Sequence, residues 1–301
     1  MKNSVTFAIV GDCAGWNLPE KIDPLSNVRE TLQTADVFLF NLEGPVIHPL
    51  NKIKITGFPT LKIMRYALKK LGKLQPPVYS IPDFLSYMKP CSINIALLAN
   101  NHILDAGENG LSETIKHLKD NKILYTGAGE NEIIARQPII ITSNGLTIGI
   151  INLNLIGWTI FGKYFNIFGA KKRKPGSSFY TPNELEKEIK ILDGKVDSII
   201  VSIHMGKAFK KEIPKKHMEY FSILYSNKID LIVGHHSHVF GELVHINGRN
   251  VITSLGDFIF NHGSKHPQPE TKVAFLTLEK NKTPILTLKS GTLENGIPLL
   301  K

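Results

Sequence analysis

The chain has 301 residues, of which 42% are hydrophobic, and a formal net charge of +10 at pH 7. This length can bury a large core, and no run approaches the roughly 18 consecutive apolar residues of a membrane span. Two cysteines, Cys13 and Cys91, allow at most one bridge, which excludes a disulfide framework. The composition therefore predicts a soluble, reduced, cytoplasmic protein.

Apolar, β-branched runs alternate with amphipathic segments along the chain. The apolar runs predict strands at 5–10, 36–42, 93–99, 147–153, 197–203, 229–233, 250–255 and 273–278. The amphipathic segments predict helices at 110–121, 181–192 and 214–227. Near-continuous apolar strands are typical of sheets that are covered on both faces. The tail after residue 250 has strands without helices, so its sheet is predicted to be antiparallel.

Two irregular stretches, at about 44–80 and 156–180, interrupt this pattern and are interpreted as insertions in a single domain spanning residues 1–301. The second stretch mixes aromatic, glycine and basic residues. It is either a lid or groove for substrate or a surface insertion, and the sequence leaves both open.

The positive charge is concentrated at 171–174 and 207–216. Basic clusters attract polyanions, although solvated lysines on an ordinary surface explain the same pattern equally well. The candidate anion contacts are Arg173, Lys207, Lys210 and Lys211. No motif of a nucleic-acid-binding fold is present, so the expected partner is an anionic small molecule or polymer, with the oligomeric state left open.

Metal-ligand residue types directly follow five of the predicted strands. They are Asp12, Glu43, Asn101 with His102, His204, and the group His235, His236 and His238. In layered α/β folds the carboxyl ends of strands meet at one edge, where ligands bind. Alone, an Asp or Asn after a strand is an ordinary turn former, and a lone His is more often a core residue. The joint pattern favours a shared site.

Imidazole and carboxylate donors together suit Zn, Mn or Fe. A carboxylate that bridges two divalent ions creates a site that binds an oxyanion and activates a water molecule. In extended backbone His236 and His238 would point the same way, and metal binding would keep both rings neutral. The remaining histidines have no such context and are predicted to lie at the surface or in loops: His48, His117, His217, His245, His262 and His266.

The order GD, NLEG, ANNHxxDxG, SIHMG, GHHSHV and SLGDFIF, from residue 5 to about 261, resembles the CapA family. That family is linked to poly-γ-glutamate capsule synthesis and belongs to the calcineurin-like metallophosphoesterase superfamily. The resemblance implies a four-layer α/β/β/α sandwich of two mixed sheets flanked by helices. It also implies a centre of two divalent metal ions at the edge of the sheets.

The resemblance assigns a role to each motif residue. Asp12 and His238 would bind the first ion, Glu43 would bridge, and the second ion would be held by Asn101, His204 and His236. His102 fits the general acid that protonates a leaving oxygen, and Asp105 would orient His102 through its other ring nitrogen. His235 is additional to the H-x-H pair and is expected to face substrate.

The sequence departs from the superfamily pattern at three places. Superfamily phosphatases have Asp-x-His where this chain has Asp12-Cys13-Ala14, so the first ion would be completed by Cys13, solvent or substrate. Glu43 replaces the usual bridging Asp. The closing SLGNF motif is SLGDF here, with Asp257.

Three functions are compatible with these residues. The first is a metal-dependent hydrolase acting on a phosphoester or on a poly-γ-glutamate-like polymer. The second is a metal-assisted epimerase of an amino-acid residue in a peptide, which would use the same dinuclear site. The third is a non-catalytic polyanion-binding component of a biosynthetic assembly.

Overall fold

The computed structural model describes residues 3–19, 22–48, 77–160, 163–226, 229–246, 249–263 and 270–301. The larger part of the insertion predicted at about 44–80, and His266, therefore lie outside the described residues. No helix among the described residues is long and apolar enough to cross a membrane.

The helices are α1 (Arg29–Leu32), α2 (Pro82–Tyr87), α3 (Gly107–Asp120), α4 (Glu132–Arg136), α5 (Pro182–Asp193) and α6 (Lys215–Ser226). The strands are β1 (Ser4–Cys13), β2 (Val37–Leu42), β3 (Ile93–Leu97), β4 (Leu124–Thr126), β5 (Ala128–Gly129), β6 (Ile139–Ser143), β7 (Leu146–Asn154), β8 (Trp158–Ile160), β9 (Lys163–Phe165), β10 (Gly176–Ser177), β11 (Ser198–His204), β12 (Leu231–His235), β13 (Leu243–Ile246), β14 (Arg249–Ile252), β15 (Asp257–Ile259), β16 (Glu270–Glu279), β17 (Ile285–Glu294) and β18 (Ile297–Leu300).

Two mixed sheets form the body of the fold. The first has the order β18-β17-β16-β1-β2-β3-β4, with β15 also paired to β1, and the second has the order β13-β14-β12-β11-β7-β6. The neighbours β1, β2, β3 and β4 are parallel, as are β7, β11, β12 and β14. The carboxyl ends of these strands carry the residues predicted to bind metal.

Three apolar clusters hold the layers together: α1, α2 and α3 against the first sheet, the first sheet against the second, and the second sheet against α5 and α6. Strand β2 shows why a continuous apolar run is required. Phe38 and Phe40 face the helices, whereas Val37 and Leu39 face the other sheet, and all four are fully buried. Each such side chain stabilises the fold by about 1.5–3 kcal/mol.

This arrangement confirms the predicted sandwich, and every predicted helix and strand is present with ends that differ by at most three residues. The prediction that the tail is antiparallel is correct only for β16, β17 and β18. Strand β14 is parallel to β12, and β15 is parallel to β1. Strand β14 is parallel to β12 because β13 lies between them in the sequence. The chain reverses direction from β13 to β14, since these two strands are antiparallel, and β14 therefore runs in the direction of β12.

The segment predicted as an insertion at 156–180 is only partly separate from the body of the protein. Strands β8 and β9 pair with each other. From there on the chain is packed into the fold, since Phe168 and Tyr180 are buried and Ser178 donates its backbone N–H to Gly127 O at 2.7 Å. Both ends of the stretch 168–180 are therefore packed into the fold, residues 171–173 are exposed, and a role as lid or groove stays a prediction.

Candidate metal centre

The structure brings the predicted ligands together at the carboxyl edge of both sheets. Asp12 lies near the end of β1, Glu43 follows β2, Asn101 follows β3, and His204 ends β11. These side chains are at most 3% exposed. Donors that are far apart in the chain therefore meet in one buried place, as predicted.

Three candidate ligand atoms of the predicted second-ion site lie close together. His204 Nε2 lies 2.8 Å from Asn101 Oδ1 and 3.1 Å from His236 Nδ1. Ligands held about 2.0–2.2 Å from a common ion are roughly 3.0–3.5 Å apart. The distances from His204 Nε2 to the other two atoms are close to this range, as expected for ligands of one transition-metal ion.

The predicted first-ion residues form the adjoining group. Asp12 Oδ1 accepts a hydrogen bond from Asn41 Nδ2 at 2.7 Å, and Asp12 Oδ2 accepts one from the His236 backbone N–H at 3.1 Å. Asp12 Oδ2 also lies 3.5 Å from His238 Nδ1, and Glu43 Oε1 lies 3.8 Å from His238 Nε2. The carboxylate of Glu43 thus stands between the two groups, where a bridging ligand would be needed.

The environment of Glu43 is the strongest indication that this site binds cations. Its side chain is fully buried, and neither carboxylate oxygen accepts a hydrogen bond from any residue that the structure describes. A buried carboxylate without partners is costly, and a divalent cation would compensate its charge. Two candidate ligand groups include it: one with His204 and His236, the other with Asp12 and His238.

The pKa values of the imidazoles differ between the two groups of ligands. Burial, with the charge of His238, lowers the pKa of His236 to about 3, and burial holds the pKa of His204 well below its usual range. Both rings are therefore neutral, as ligands must be. Burial would also lower the pKa of His238, but Glu43 and other buried carboxylates raise it to about 10. Burial raises the pKa of Glu43 itself to about 8.

His102 is held by the partner that the sequence predicts. Its Nδ1 lies 2.7 Å from Asp105 Oδ2, which also accepts the backbone N–H of Val78 at 2.9 Å. Because a carboxylate only accepts, His102 Nδ1 carries the proton, and Nε2 faces Glu43 Oε1 at 3.9 Å. Burial opposes ionisation of this ring, but Asp105 raises the pKa of His102 above its usual value.

The loop that carries the H-x-H pair is not extended, so that prediction is wrong. His236 and His238 have φ angles of +90° and +56°, in the left-handed region that residues other than glycine rarely adopt. Their ring centroids lie 6.2 Å apart with a 47° tilt. This strained turn aims one ring at each group of ligands, which fits the tendency of strain to collect at functional sites.

His235 does not face substrate as expected. Its side chain is fully buried, and its Nδ1 lies 3.4 Å from Asp12 Oδ1, because His235 ends β12 in register with His204. Cys13 is also not positioned to complete the first ion. It lies in the apolar cluster between the first sheet and the helices, and burial raises the pKa of its thiol well above the usual value.

The predicted anion contacts are all on the surface. The side chains of Arg173, Lys207 and Lys210 are exposed, as is that of Lys211. The loop that carries the last three is attached to the site, since the Phe209 N–H donates to Ser237 O at 2.7 Å. Their binding of anions stays a prediction.

Several residues of the site were missed or misplaced by the sequence reasoning. Asn100 joins the ANNH loop to β2, because its Nδ2 donates to Leu42 O at 2.8 Å and its Oδ1 accepts the His102 N–H at 3.1 Å. His217 and His262 were predicted to lie at the surface or in loops. His217 is instead buried on α6 at 2% exposure, whereas His262 does lie in a loop, with its Nε2 2.9 Å from Asp257 Oδ2.

Known structures share this fold. The putative 5'-nucleotidase of Staphylococcus aureus superposes with a TM-score of 0.55 at 17% identity, covering 98% of this chain and 54% of that one. The calcineurin-like phosphoesterase YfkN of Bacillus subtilis superposes with a TM-score of 0.51 at 15% identity, covering 96% and 91%. Two packed mixed sheets with candidate metal ligands at their carboxyl edge thus define a calcineurin-like metallophosphoesterase fold.

Sequence comparison identifies the family. The capsule biosynthesis protein CapA of Bacillus anthracis is 28% identical over 215 residues, which cover 70% of this chain and 50% of that protein. The chain spans about half the length of the curated relatives that it matches. The sequence model of the bacterial capsule synthesis protein PGA_cap family matches residues 10–262, and the chain belongs to that family. The resemblance read from the motifs is confirmed.

Proposed function

We propose that this chain is a dinuclear metal-dependent hydrolase of an anionic substrate, either a phosphoester or a poly-γ-glutamate-like polymer, with a role in capsule or polyglutamate metabolism. The observation that carries the proposal is the meeting of Asn101, His204 and His236 at 2.8–3.1 Å beside the unpartnered carboxylate of Glu43. The family and the phosphoesterase fold support the reaction class, and the name of the Bacillus anthracis relative supports the capsule role.

Each residue has a part that follows from its contacts. Asn101, His204 and His236 would hold one ion, Asp12 and His238 the other, and Glu43 both. When bound, two divalent ions would supply Lewis acidity and positive charge for a developing oxyanion. With two carboxylates as ligands, a pair of dications keeps a net charge of about +2, which favours an anionic substrate.

His102 supplies proton transfer. Asp105 holds Nδ1 of the ring, so the proton that reaches a leaving oxygen is carried on Nε2, which faces the site. The raised pKa of His102, caused by Asp105, favours the protonated ring that a general acid requires. A positioned acid of this kind accelerates a reaction by roughly 10²–10⁴-fold.

Two variants test the proposal. Purified protein is analysed for metals and assayed with p-nitrophenyl phosphate and poly-γ-glutamate after addition of Mn, Zn or Fe. His236→Ala should lose metal and activity together, whereas His102→Ala should keep its metal and turn over roughly 10²–10⁴-fold more slowly. His245→Ala changes an exposed histidine of β13 and is the matched control.

The outcomes separate the competing functions. Wild-type turnover in His102→Ala would remove the general-acid assignment. Absence of both metal and turnover in the wild type, with polyglutamate binding intact, would favour a binding role over an enzyme. Reaction in deuterated water distinguishes an epimerase, since deuterium at carbon without bond cleavage indicates isomerisation and not hydrolysis.

A further inference from the structure

A third group of metal-ligand atoms lies beside the first-ion residues. Asp257 Oδ1 is 2.8 Å from His238 Nδ1, and Asp257 Oδ2 is 2.9 Å from His262 Nε2. Asp257 is fully buried, and the His262 side chain is 11% exposed. Each ring contacts a different oxygen of Asp257, and one ligand atom from each of the three residues lies within 4.8 Å of the other two, so the three residues could share one ion.

The backbone places Asp257 next to Asp12. Strand β15 is parallel to β1, and Asp12 and Asp257 are direct partners in the register. The strands approach closely because Gly11 has no side chain: a Cβ there would lie 1.9 Å from Gly256 O. Paired residues of neighbouring strands point to the same face, and His238 Nδ1 is accordingly within 3.5 Å of both carboxylates.

Without Asp257 and His262, the first ion would have fewer protein ligands than the second. Besides the shared Glu43, the second ion has three donors, whereas the first has only Asp12 and His238. The residues after Asp12 add none, since Cys13 faces the helix-side core and Ala14 has no donor atom.

An aromatic residue brings an imidazole to the same corner from another part of the chain. Phe260 packs on Ala14, and the His262 ring stacks on Phe260 with centroids 4.3 Å apart and a 20° angle. The centroid of Phe209 lies 5.3 Å from that of His262. These contacts hold the His262 ring with Nε2 toward Asp257 and with its centroid 4.6 Å from that of His238.

We propose that Asp257 and His262 are ligands of the first metal ion, and that they supply the donors that residues 13 and 14 do not. This inference rests on the proposed dinuclear centre. It assigns the ion on this side to Asp12, Glu43, His238, Asp257 and His262. The opposing interpretation is that Asp257 and His262 only orient His238 by hydrogen bonding.

Zinc titration of the metal-free protein tests the proposal, with Asp257→Asn and His262→Ala compared to wild type. Asn keeps the shape of Asp257 and an oxygen that still accepts the His238 N–H, but it has no charge to offer an ion. Wild type should bind two ions. Each variant should keep one ion tightly and bind the other more than about 100-fold more weakly, beyond the roughly 10–100-fold loss typical of outer hydrogen-bond partners.

A second measurement reads ligation directly. In crystals of zinc-loaded wild type, anomalous scattering should place an ion about 2.0–2.2 Å from both an Asp257 oxygen and a His262 nitrogen. An ion that contacts His238 but neither of these atoms would overturn the inference. So would two tightly bound ions in both variants.

Controls separate this inference from the proposed function. His245→Ala should bind two ions like the wild type, and circular dichroism should show that each variant is folded. His236→Ala should lose the other ion. Wild type that binds no zinc would refute the dinuclear centre as a whole, whereas two-ion binding that is insensitive to Asp257 and His262 would refute only their assignment.

Discussion

Protonation of His217 should destabilise the fold in mild acid. Its Nε2 donates to Leu155 O at 3.1 Å, and its Nδ1 accepts the Gly206 N–H at 3.3 Å. A protonated ring has no acceptor nitrogen, so protonation would set two N–H groups against each other. Burial, together with the charge of Lys216, lowers the pKa of His217 to about 4. The neutral ring joins the loops after β7 and β11, and the second of these follows His204.

The size of this destabilisation follows from the difference between the pKa of His217 in the folded and in the unfolded chain. An unfolded histidine has a pKa of about 6.5, so between about pH 6.5 and 4 the unfolded chain binds a proton that the folded chain excludes. The stability that the neutral ring contributes is therefore complete above about pH 6.5 and is lost as the pH falls toward 4. At about 1.4 kcal/mol for each pH unit, the loss reaches about 3 kcal/mol.

Urea unfolding of metal-free protein between about pH 7 and pH 4 measures this loss. His217→Gln keeps a donor and an acceptor but does not titrate, so its free energy of unfolding should fall by about 3 kcal/mol less than that of wild type over this range. His245→Gln, on an exposed position of β13, should follow the wild type. Parallel pH curves for wild type and His217→Gln would refute the reasoning.

Two further predictions concern the fold that supports the site. Gly11→Ala should destabilise the protein by about 3 kcal/mol, because its Cβ would collide with Gly256 O, whereas Gly194→Ala enters open space and should change thermal stability little. Thr181→Ala should cost about 1 kcal/mol by removing the capping box in which the Thr181 hydroxyl accepts the Glu184 N–H at 3.4 Å, and Thr181→Ser should restore it. Unchanged melting temperatures in Gly11→Ala or Thr181→Ala would contradict the corresponding contact.

The sandwich could be predicted from the sequence because its central strands are covered on both faces. Val37, Phe38, Leu39 and Phe40 are all apolar for that reason. The candidate site could be predicted for a related reason, because its candidate metal ligands directly follow these strands in the sequence. Because neighbouring strands are parallel, their carboxyl ends meet at one edge and bring these ligands together, so no knowledge of the loop conformations is needed to predict the site.

The positions of Asp257 and His262 could not be predicted, because the sequence pattern around them does not show which distant strand they adjoin. Strand β15 is only three residues long, and its partner β1 lies near the opposite end of the chain, so nothing near Asp257 or His262 indicates that they adjoin Asp12. For His217 a signal did exist. His217, Phe221 and Leu224 are spaced i, i+4 and i+7 on α6, the spacing of a buried helix face.

Most of the unsatisfied buried polar atoms of the described residues lie at the candidate metal centre. Of the eight buried side-chain atoms without a hydrogen-bond partner in the part of the chain that the structure describes, six belong to Asn41, Glu43, His204 and His235. The left-handed turn of His236 and His238 lies in the same place. Buried carboxylates, neutral imidazoles and strained backbone are each costly alone, and divalent cations are the ligands that would offset all of them together. Metal binding should therefore be coupled to folding in this chain, because the buried carboxylate of Glu43 and the turn of His236 and His238 are costly in the metal-free fold and would bind the ions.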